Sequence, residues 1–476
     1  MVKQHVQHSS PSSTDGAGEL ILSPSAPLVT ARKFIEERYN ASNLRTLHHH
    51  DDVFYAWDGR CYPRVDDATI RAEVYGFLEV AIRWNVKAEK TVPFDPTTRK
   101  VNDMTDALRA VANVPNTITP PAWLVNEYVP DMTHPPSEIL ACSNGLLHLP
   151  TLELQPHTPL FFSHNALEFA FNPAAGAGPP NWLKFLSELW QDDEEAIETL
   201  QEIFGYFLTT KTEQQKIVII IGPKRSGKGT IGHVLTGLLG PANVVAPTLA
   251  NLAQNFGLAP LIGKPLAIIA DARIGARIDQ AVVTERLLSI SGEDFITIDR
   301  KFLPAWTGKL PTRFLILTNE VPRLADASGA LASRFIVLNL TKSFYDREDL
   351  DLKNRLLGEL PEILNWAIEG WHRLRDRRHF LQPSSSADII EALEDLGSPV
   401  GAFVREKCVI ESGKEVAFST LFEQWKTWCE DSGRKHSGTI QSFGRDLHAA
   451  VPSIKKTQRR AEGGSRSRYY QGIGLA

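Results

Sequence analysis

KIVIIIGPKRSGKGT, residues 216–230, is the stretch whose reading decides the fold. Ile217–Ile221 is an unbroken apolar run with no polar alternation, the pattern of a strand covered on both faces in a parallel sheet. A Gly-rich loop follows and opens into GTIGHVLTGLLG, which spaces apolar residues at helical intervals. Strand, Gly-rich loop and helix in that order make a phosphate-binding loop: turned backbone N–H groups and the positive end of the helix both face an anion. Further out, short apolar runs alternate with helical stretches through PLAIIAD, RLLSISG, RFLILTN and RFIVLNL, as far as about residue 345. That alternation predicts an α/β unit with a parallel sheet and helices packed around it.

The loop residues Gly222, Pro223, Lys224, Arg225, Ser226, Gly227, Lys228, Gly229 and Thr230 are the candidate ATP contacts, with Lys228 reaching the β- and γ-phosphates. Gly229 stands where a Ser or Thr usually helps to hold Mg²⁺, and the hydroxyl comes one position later at Thr230. Thr230 is therefore assigned to a phosphate oxygen, to the metal, or to both. PLAIIAD ends in Asp271, a carboxylate at the carboxyl end of a strand and the expected Mg²⁺ ligand. RFLILTN ends in Asn319, whose amide is expected to orient the attacking water beside the γ-phosphate, the alternative being a turn or helix cap. Arg334 precedes the next strand, and its planar, permanently charged guanidinium suits charge developing on a transferring phosphoryl group; a structural ion pair is the alternative. If Arg334 serves a neighbour's nucleotide, the active site lies between subunits of a ring.

Between the second and third strands, ITIDRKF and WTGKLPTRF predict a hairpin with Arg300, Lys301 and Lys309 near its tip, placed to meet a DNA backbone if it enters a pore. Near the C-terminus, Lys455, Lys456, Arg459, Arg460, Arg466 and Arg468 face one acid, Glu462, and are followed by Tyr469-Tyr470, like the basic wing of a DNA-binding winged helix. The alternative is a disordered basic tail.

The whole chain of 476 residues suggests about three domains. A net charge of −5 excludes a globally basic nucleic-acid coat protein, and 42% apolar residues are ordinary for a folded protein with real cores. The longest apolar run falls far short of the roughly 20 residues of a membrane span, and the N-terminus lacks the apolar core of a signal peptide. Residues 1–30, rich in Ser, Pro, Gly and His, read as a disordered leader. ARKFIEERY and TIRAEVYGFLEVAIRW predict helices, and VFYAWDGRCYPRV predicts a hairpin turning at Asp58-Gly59. ACSNGLLHL reads as strand, WLKFLSELW and EIFGYFL as helix, and PSSS at 383–386 as a linker. The four cysteines, Cys61, Cys142, Cys408 and Cys429, have no zinc spacing and fit a reducing compartment. His48-His49-His50 followed by Asp51-Asp52 is a weak metal pattern, read in preference as a polar surface loop.

Taken together, GPKRSGKGT, PLAIIAD, LLSISGEDFITIDRK, RFLILTN and SGALASRF resemble, in order, the motifs of superfamily 3 helicases. The likeness is to the helicase portion of phage and plasmid primase-helicases, related to the poxvirus primase-helicase. It extends to SNGLLHL and LQEIFGYFLT before the motor and to GELPEILNWAIEGWHRL after it. The resemblance implies an AAA+-like motor at 211–345, preceded by an accessory α+β region at 31–130 and a helical collar at 131–210. It implies a helical segment at 346–385 and a winged-helix-like DNA-binding domain at 395–476. The activity implied is ATP- and Mg²⁺-dependent unwinding by a homo-hexameric ring moving 3′-to-5′ on single-stranded or forked DNA, in the cytoplasm of a bacterial host or phage-infected cell. A separate primase or replication protein is an expected partner, and a membrane is not. Lys228, Asp271, Asn319 and Arg334 would carry catalysis. In many relatives a second acid follows the strand-end carboxylate, whereas here Ala272 follows Asp271, leaving open which group polarises water. No carboxylate set for nucleotide polymerisation is evident, so the chain reads as the unwinding half. The rival readings are an ATP-switched origin-recognition protein and a nucleotide kinase.

Overall fold

The computed structural model describes residues 19–124, 134–176, 178–191, 193–272, 279–322, 324, 326, 329–434, 436–460 and 466–476. The chain divides into two compact units, one running to Pro136 and taking in Pro156–Ala166, the other made of Ser137–Gln155 and Leu167–Ala476.

In the first unit, helices Pro27–Arg38, Asp67–Glu79 and Thr98–Val111 pack with short antiparallel strands. Asp66 and Thr97 start the second and third helices by accepting backbone N–H bonds from Thr69 and Lys100. Phe34, Phe54, Phe77, Leu78, Val101 and Leu108 close the core. The first helix begins inside the stretch expected as leader, and Leu22 and Thr30 are buried there; residues 1–18 lie outside the described residues. The expected hairpin forms, Val53–Ala56 pairing Arg64–Val65. The histidine triplet is a correction. It lies on strand Leu47–His50, with His48 and His50 buried, because the strand turns those two inward against Tyr62 and Phe162. Burial pushes the His48 imidazole down to about 3, so it is neutral. Among the described residues, no cluster of three or more His, Cys, Asp or Glu could hold a metal.

The second unit is built on a five-stranded, all-parallel sheet. Its elements are β1 (Ile217–Ile221), α1 (Lys228–Leu239), β2 (Val244–Val245), β3 (Leu266–Ala270), α2 (Gln280–Ser291), β4 (Ile296–Arg300), β5 (Leu303–Gly308), β6 (Arg313–Thr318) and β7 (Phe335–Asn339). The sheet order is β2-β3-β6-β1-β7, and β4–β5 form a separate antiparallel hairpin. The mixed α/β fold with a parallel sheet is thus as expected. Each strand feeds both faces: Val218, Ile220, Leu315 and Leu317 join a core with α1, helix Glu194–Leu208 and helix Leu360–Arg377. Ile217, Ile219, Phe314 and Ile316 join a second core with α2. Two-sided burial is the physical reason these strands are apolar apart from their end residues.

Helices Glu194–Leu208 and Leu360–Arg377 are clamped by Glu202, almost wholly buried, which accepts from Arg373 Nε at 2.8 Å and from Arg377. PSSS is not a slack linker: Ser384 donates N–H and hydroxyl bonds to Glu195, and Ser386 is fully buried. Composition alone could not register those two anchors. Beyond it come helix Pro399–Lys407, strand Glu415–Ala417, helices Phe418–Asp431 and Ile440–Ala450, and strands Lys455–Arg460 and Arg466–Gln471. These three strands form one antiparallel sheet with Arg466–Gln471 in the middle, over a core of Phe403, Trp425, Phe443 and Tyr470. No helix among the described residues is long and apolar enough to cross a membrane.

Candidate phosphate-binding edge and DNA-facing hairpin

Because β3, β6 and β1 are parallel, their carboxyl ends share one edge of the sheet, and the register fixes the levels there. Ala270 and Ile220 both pair with Leu317, and Ile221 pairs with Thr318. Asp271 N–H donates to Leu317 O at 2.8 Å, and Gly222 N–H donates to Thr318 O at 3.2 Å. Asp271, Asn319 and the start of the loop therefore stand within one residue of the same level. These three expected site elements are brought together.

The loop runs from Gly222 to Gly227 and hands over to α1 at Lys228. Two glycines are required by geometry. A Cβ on Gly222 would lie 2.6 Å from Leu340 O, and Gly227 caps α1 with φ +90°, in the left-handed region. The Lys228 ammonium curls back and donates to Gly222 O at 2.8 Å, Pro223 O at 2.7 Å and Ser226 Oγ at 3.1 Å. It thus sits at the loop's centre, and burial lowers its pKa. Ser226 is buried, whereas Lys224, Arg225 and Gly229 are exposed. The outer side of the loop is stapled down: Ser343 Oγ donates to Lys224 O, Phe344 N–H donates to Arg225 O, and Arg225 Nε lies 3.3 Å from Glu348.

Thr230 is half-buried on the first turn of α1, and Asp271 is exposed just past β3 with φ +64°. A carboxylate and a hydroxyl are hard oxygen donors of the kind Mg²⁺ takes. The loop N–H groups, the α1 N-terminus and Lys228 suit a polyphosphate. The residue that follows Asp271 is a buried alanine, Ala272, and Glu320, next to Asn319, is exposed at the same edge.

Arg334 is not brought to this edge. It directly precedes β7, at the amino ends of the strands, and donates to Gln215 Oε1 at 3.0 Å and Ser291 O at 3.1 Å. Five-residue β1 spans roughly 17 Å between the two edges. Lys216, unnoticed in the sequence, lies beside it and donates to Ser333 O at 2.7 Å. Arg313, also unnoticed, is the buried first residue of β6. It donates to Tyr206 O at 2.6 Å and Pro265 O at 3.3 Å, holding the last turn of helix Glu194–Leu208.

The hairpin tip carries Arg300 and Lys301, as expected, but Lys309 is a correction. It follows β5 at the open end of the hairpin, because the turn is tighter than the spacing suggests and β5 begins already at Leu303. Tip residue Phe302, which charge-based reading passed over, is 92% exposed. Lys455 and Lys456 are exposed on a C-terminal strand, and the side chains of Arg459, Arg460 and Arg466 lie outside the described residues.

Comparison with known proteins gives two family matches. Residues 32–191 match a family described as D5 N terminal like. Residues 220–334, which run from the end of β1 to Arg334, match a family of unknown function, DUF5906. Among solved structures, the apo A form of the NrS-1 C terminal region is similar at 13% identity, covering 90% of this chain and 96% of that one with a TM-score of 0.48. A second structure of that region gives 13% identity, 94% and 99% coverage and 0.46. A third gives 16%, 64%, 79% and 0.41.

Proposed function

We propose that this chain is an ATP-dependent DNA helicase of a phage, prophage or plasmid replication system, working as a homo-oligomeric ring, most simply a hexamer moving 3′-to-5′ on single-stranded DNA. The observation that carries the reading is the division of labour between the two edges of the parallel sheet. Loop, Asp271 and Asn319 share the carboxyl edge, and Arg334 stands at the amino edge. A guanidinium on the far side of its own sheet is too distant from its own nucleotide, and by exchanging its bonds to Gln215 and Ser291 it can serve a neighbour's. The family matches lend support, since they fall on the two regions where the likeness to primase-helicases is expected.

In this mechanism the loop N–H groups and Lys228 hold the β- and γ-phosphates of ATP, and Asp271 with Thr230 would hold Mg²⁺. The metal would neutralise charge on the phosphate oxygens. Asn319 orients the attacking water through its side-chain amide. Arg334 of the adjacent subunit stabilises the transition state, a contribution that needs no proton transfer. The β4–β5 hairpin joins α2 to β6, the strand that ends in Asn319, so changes at the nucleotide reach the DNA-facing tip through one strand. Helix Pro399–Lys407, the two helices and three-stranded sheet after it, and the basic strand bearing Lys455 and Lys456 fit a winged-helix-like DNA-binding domain.

DNA-stimulated ATPase and strand-displacement assays test the proposal. The wild type should hydrolyse ATP faster with single-stranded DNA, and Lys228→Ala should lose turnover by at least about a hundredfold. Hydrolysis undiminished in Lys228→Ala would refute the loop assignment. ATP binding without hydrolysis in the wild type would favour a nucleotide-driven switch, the reading that buried Ala272 beside Asp271 keeps in contention.

A further inference from the structure

The tip of the β4–β5 hairpin combines two features that a merely solvated turn would avoid. Phe302 has φ +62°, a left-handed conformation that Gly or Asn adopts readily and a bulky aromatic rarely does. Its ring is also 92% exposed, so the residue forgoes the burial that normally stabilises an aromatic side chain. Asn or Gly would serve the turn better on both counts. The hairpin's base, by contrast, is anchored: Ile298 is buried in the second core, Trp306 packs against it, and Thr297 and Thr307 are hydrogen-bonded across the strands at 3.0 Å. A rigid stem thus presents a strained, exposed ring.

Cations flank the aromatics. Lys301 Nζ lies 5.2 Å from the Phe302 ring centroid, and Lys309 Nζ lies 5.4 Å from that of Phe295, which is 73% exposed at the stem's start. Arg300 donates to Pro304 O at 2.9 Å at the tip. Against these stand two exposed acids, Asp299 on β4 and Asp294 just before Phe295. Exposed rings interleaved with positive charge are the composition of a surface that grips unpaired nucleotides, stacking on the bases while the cations meet the phosphates.

We propose that Phe302 is a base-stacking contact for single-stranded DNA, so that the hairpin holds its strand by an unpaired base as well as by the backbone. This rests on the reading that the hairpin meets DNA, and it adds that the ligand must have accessible base faces. A duplex, whose bases are stacked on each other, does not offer them.

The test measures binding of the full chain to two labelled oligonucleotides of equal length and charge, one oligothymidylate and one a run of abasic sites. Wild type should prefer the thymidylate strand at least about tenfold, and Phe302→Ala should lose that preference through a ten- to hundredfold weaker hold on thymidylate alone. Phe302→Tyr should keep it. Arg300→Ala with Lys301→Ala should weaken both strands alike. Because the ring is exposed and its backbone strained, Phe302→Asn should melt no earlier than wild type, which separates stacking from misfolding. A preference retained in Phe302→Ala overturns the proposal, as does an equal loss on both strands or a smaller oligomer, which would make the tip a subunit contact. Wild type that binds both strands equally leaves the DNA reading standing and removes stacking, whereas wild type that binds neither removes both.

Discussion

Two strands of the sheet carry the same dipeptide at or just before their start. RFLILTN, residues 313–319, and RFIVLNL, residues 334–340, each start Arg-Phe, continue as an apolar run and reach an Asn near the end. Nothing local separates them. In the fold they part company, because β6 lies between β3 and β1 whereas β7 is the last strand of the sheet. Arg313 at the head of the inner strand is sealed under helix Glu194–Leu208, where burial pushes its pKa down to about 10 and its donors go to backbone carbonyls. Arg334 at the head of the outer strand is only half-buried. Both arginines bond the chain's own groups, Arg334 through Gln215 and the Ser291 carbonyl, but Arg313 is sealed from water and Arg334 is not.

The comparison has a largest consequence at Arg334. Replacing it by Ala should lower ATP turnover about a thousandfold or more, roughly 4 kcal/mol in the barrier, while ATP binding stays near wild type. Mixing Arg334→Ala with Lys228→Ala subunits should restore part of the rate, because mixed interfaces recombine an intact loop with an intact arginine. An absence of rescue at every mixing ratio would return Arg334 to a structural role like that of Arg313.

The strand ends sharpen the contrast. Asn319→Ala should reduce turnover about a hundredfold, measured in steady state at saturating ATP. Asn339→Ala, at the end of the outer strand, should leave it within a few-fold. Equal effects would mean that position on the carboxyl edge, and not the side chain facing the phosphates, sets the rate.

The smallest effect, and of a different kind, belongs to Arg313. Arg313→Met removes the guanidinium bonds to the carbonyls of Tyr206 and Pro265, which keep donors from Thr209 and from the backbone N–H of residue 313, and should cost about 1 kcal/mol of stability, read as a lower thermal midpoint. Turnover per folded molecule should persist. A midpoint unchanged from wild type would show that water replaces the guanidinium and that the clamp is dispensable.

The candidate phosphate-binding edge was legible because its signals are local: strand, loop and helix follow each other from 216 onward, and Asp271 and Asn319 each end an apolar run. What escaped reading depended on partners far along the chain. Arg313 carries no signal of its own in the sequence, because the carbonyl it meets belongs to Tyr206, more than a hundred residues upstream. His48 and His50 read as surface because a short polar run carries no sign of the aromatic wall it faces. Phe302 was passed over because charge marks a nucleic-acid surface in a sequence, while exposure of an aromatic is visible only once its neighbours are placed.

Chain order and side-chain chemistry alone therefore specified a parallel α/β unit, its Gly-rich loop between strand and helix, and the residues at its strand ends, since backbone periodicity and loop turning are local properties. Strand order, the side of the sheet on which each arginine emerges, and the burial of each cation came from packing. Those quantities depend on which segments meet in space, and desolvation, acting only after they meet, determines whether a charge is sealed from water, as at Arg313, or stays half-exposed, as at Arg334.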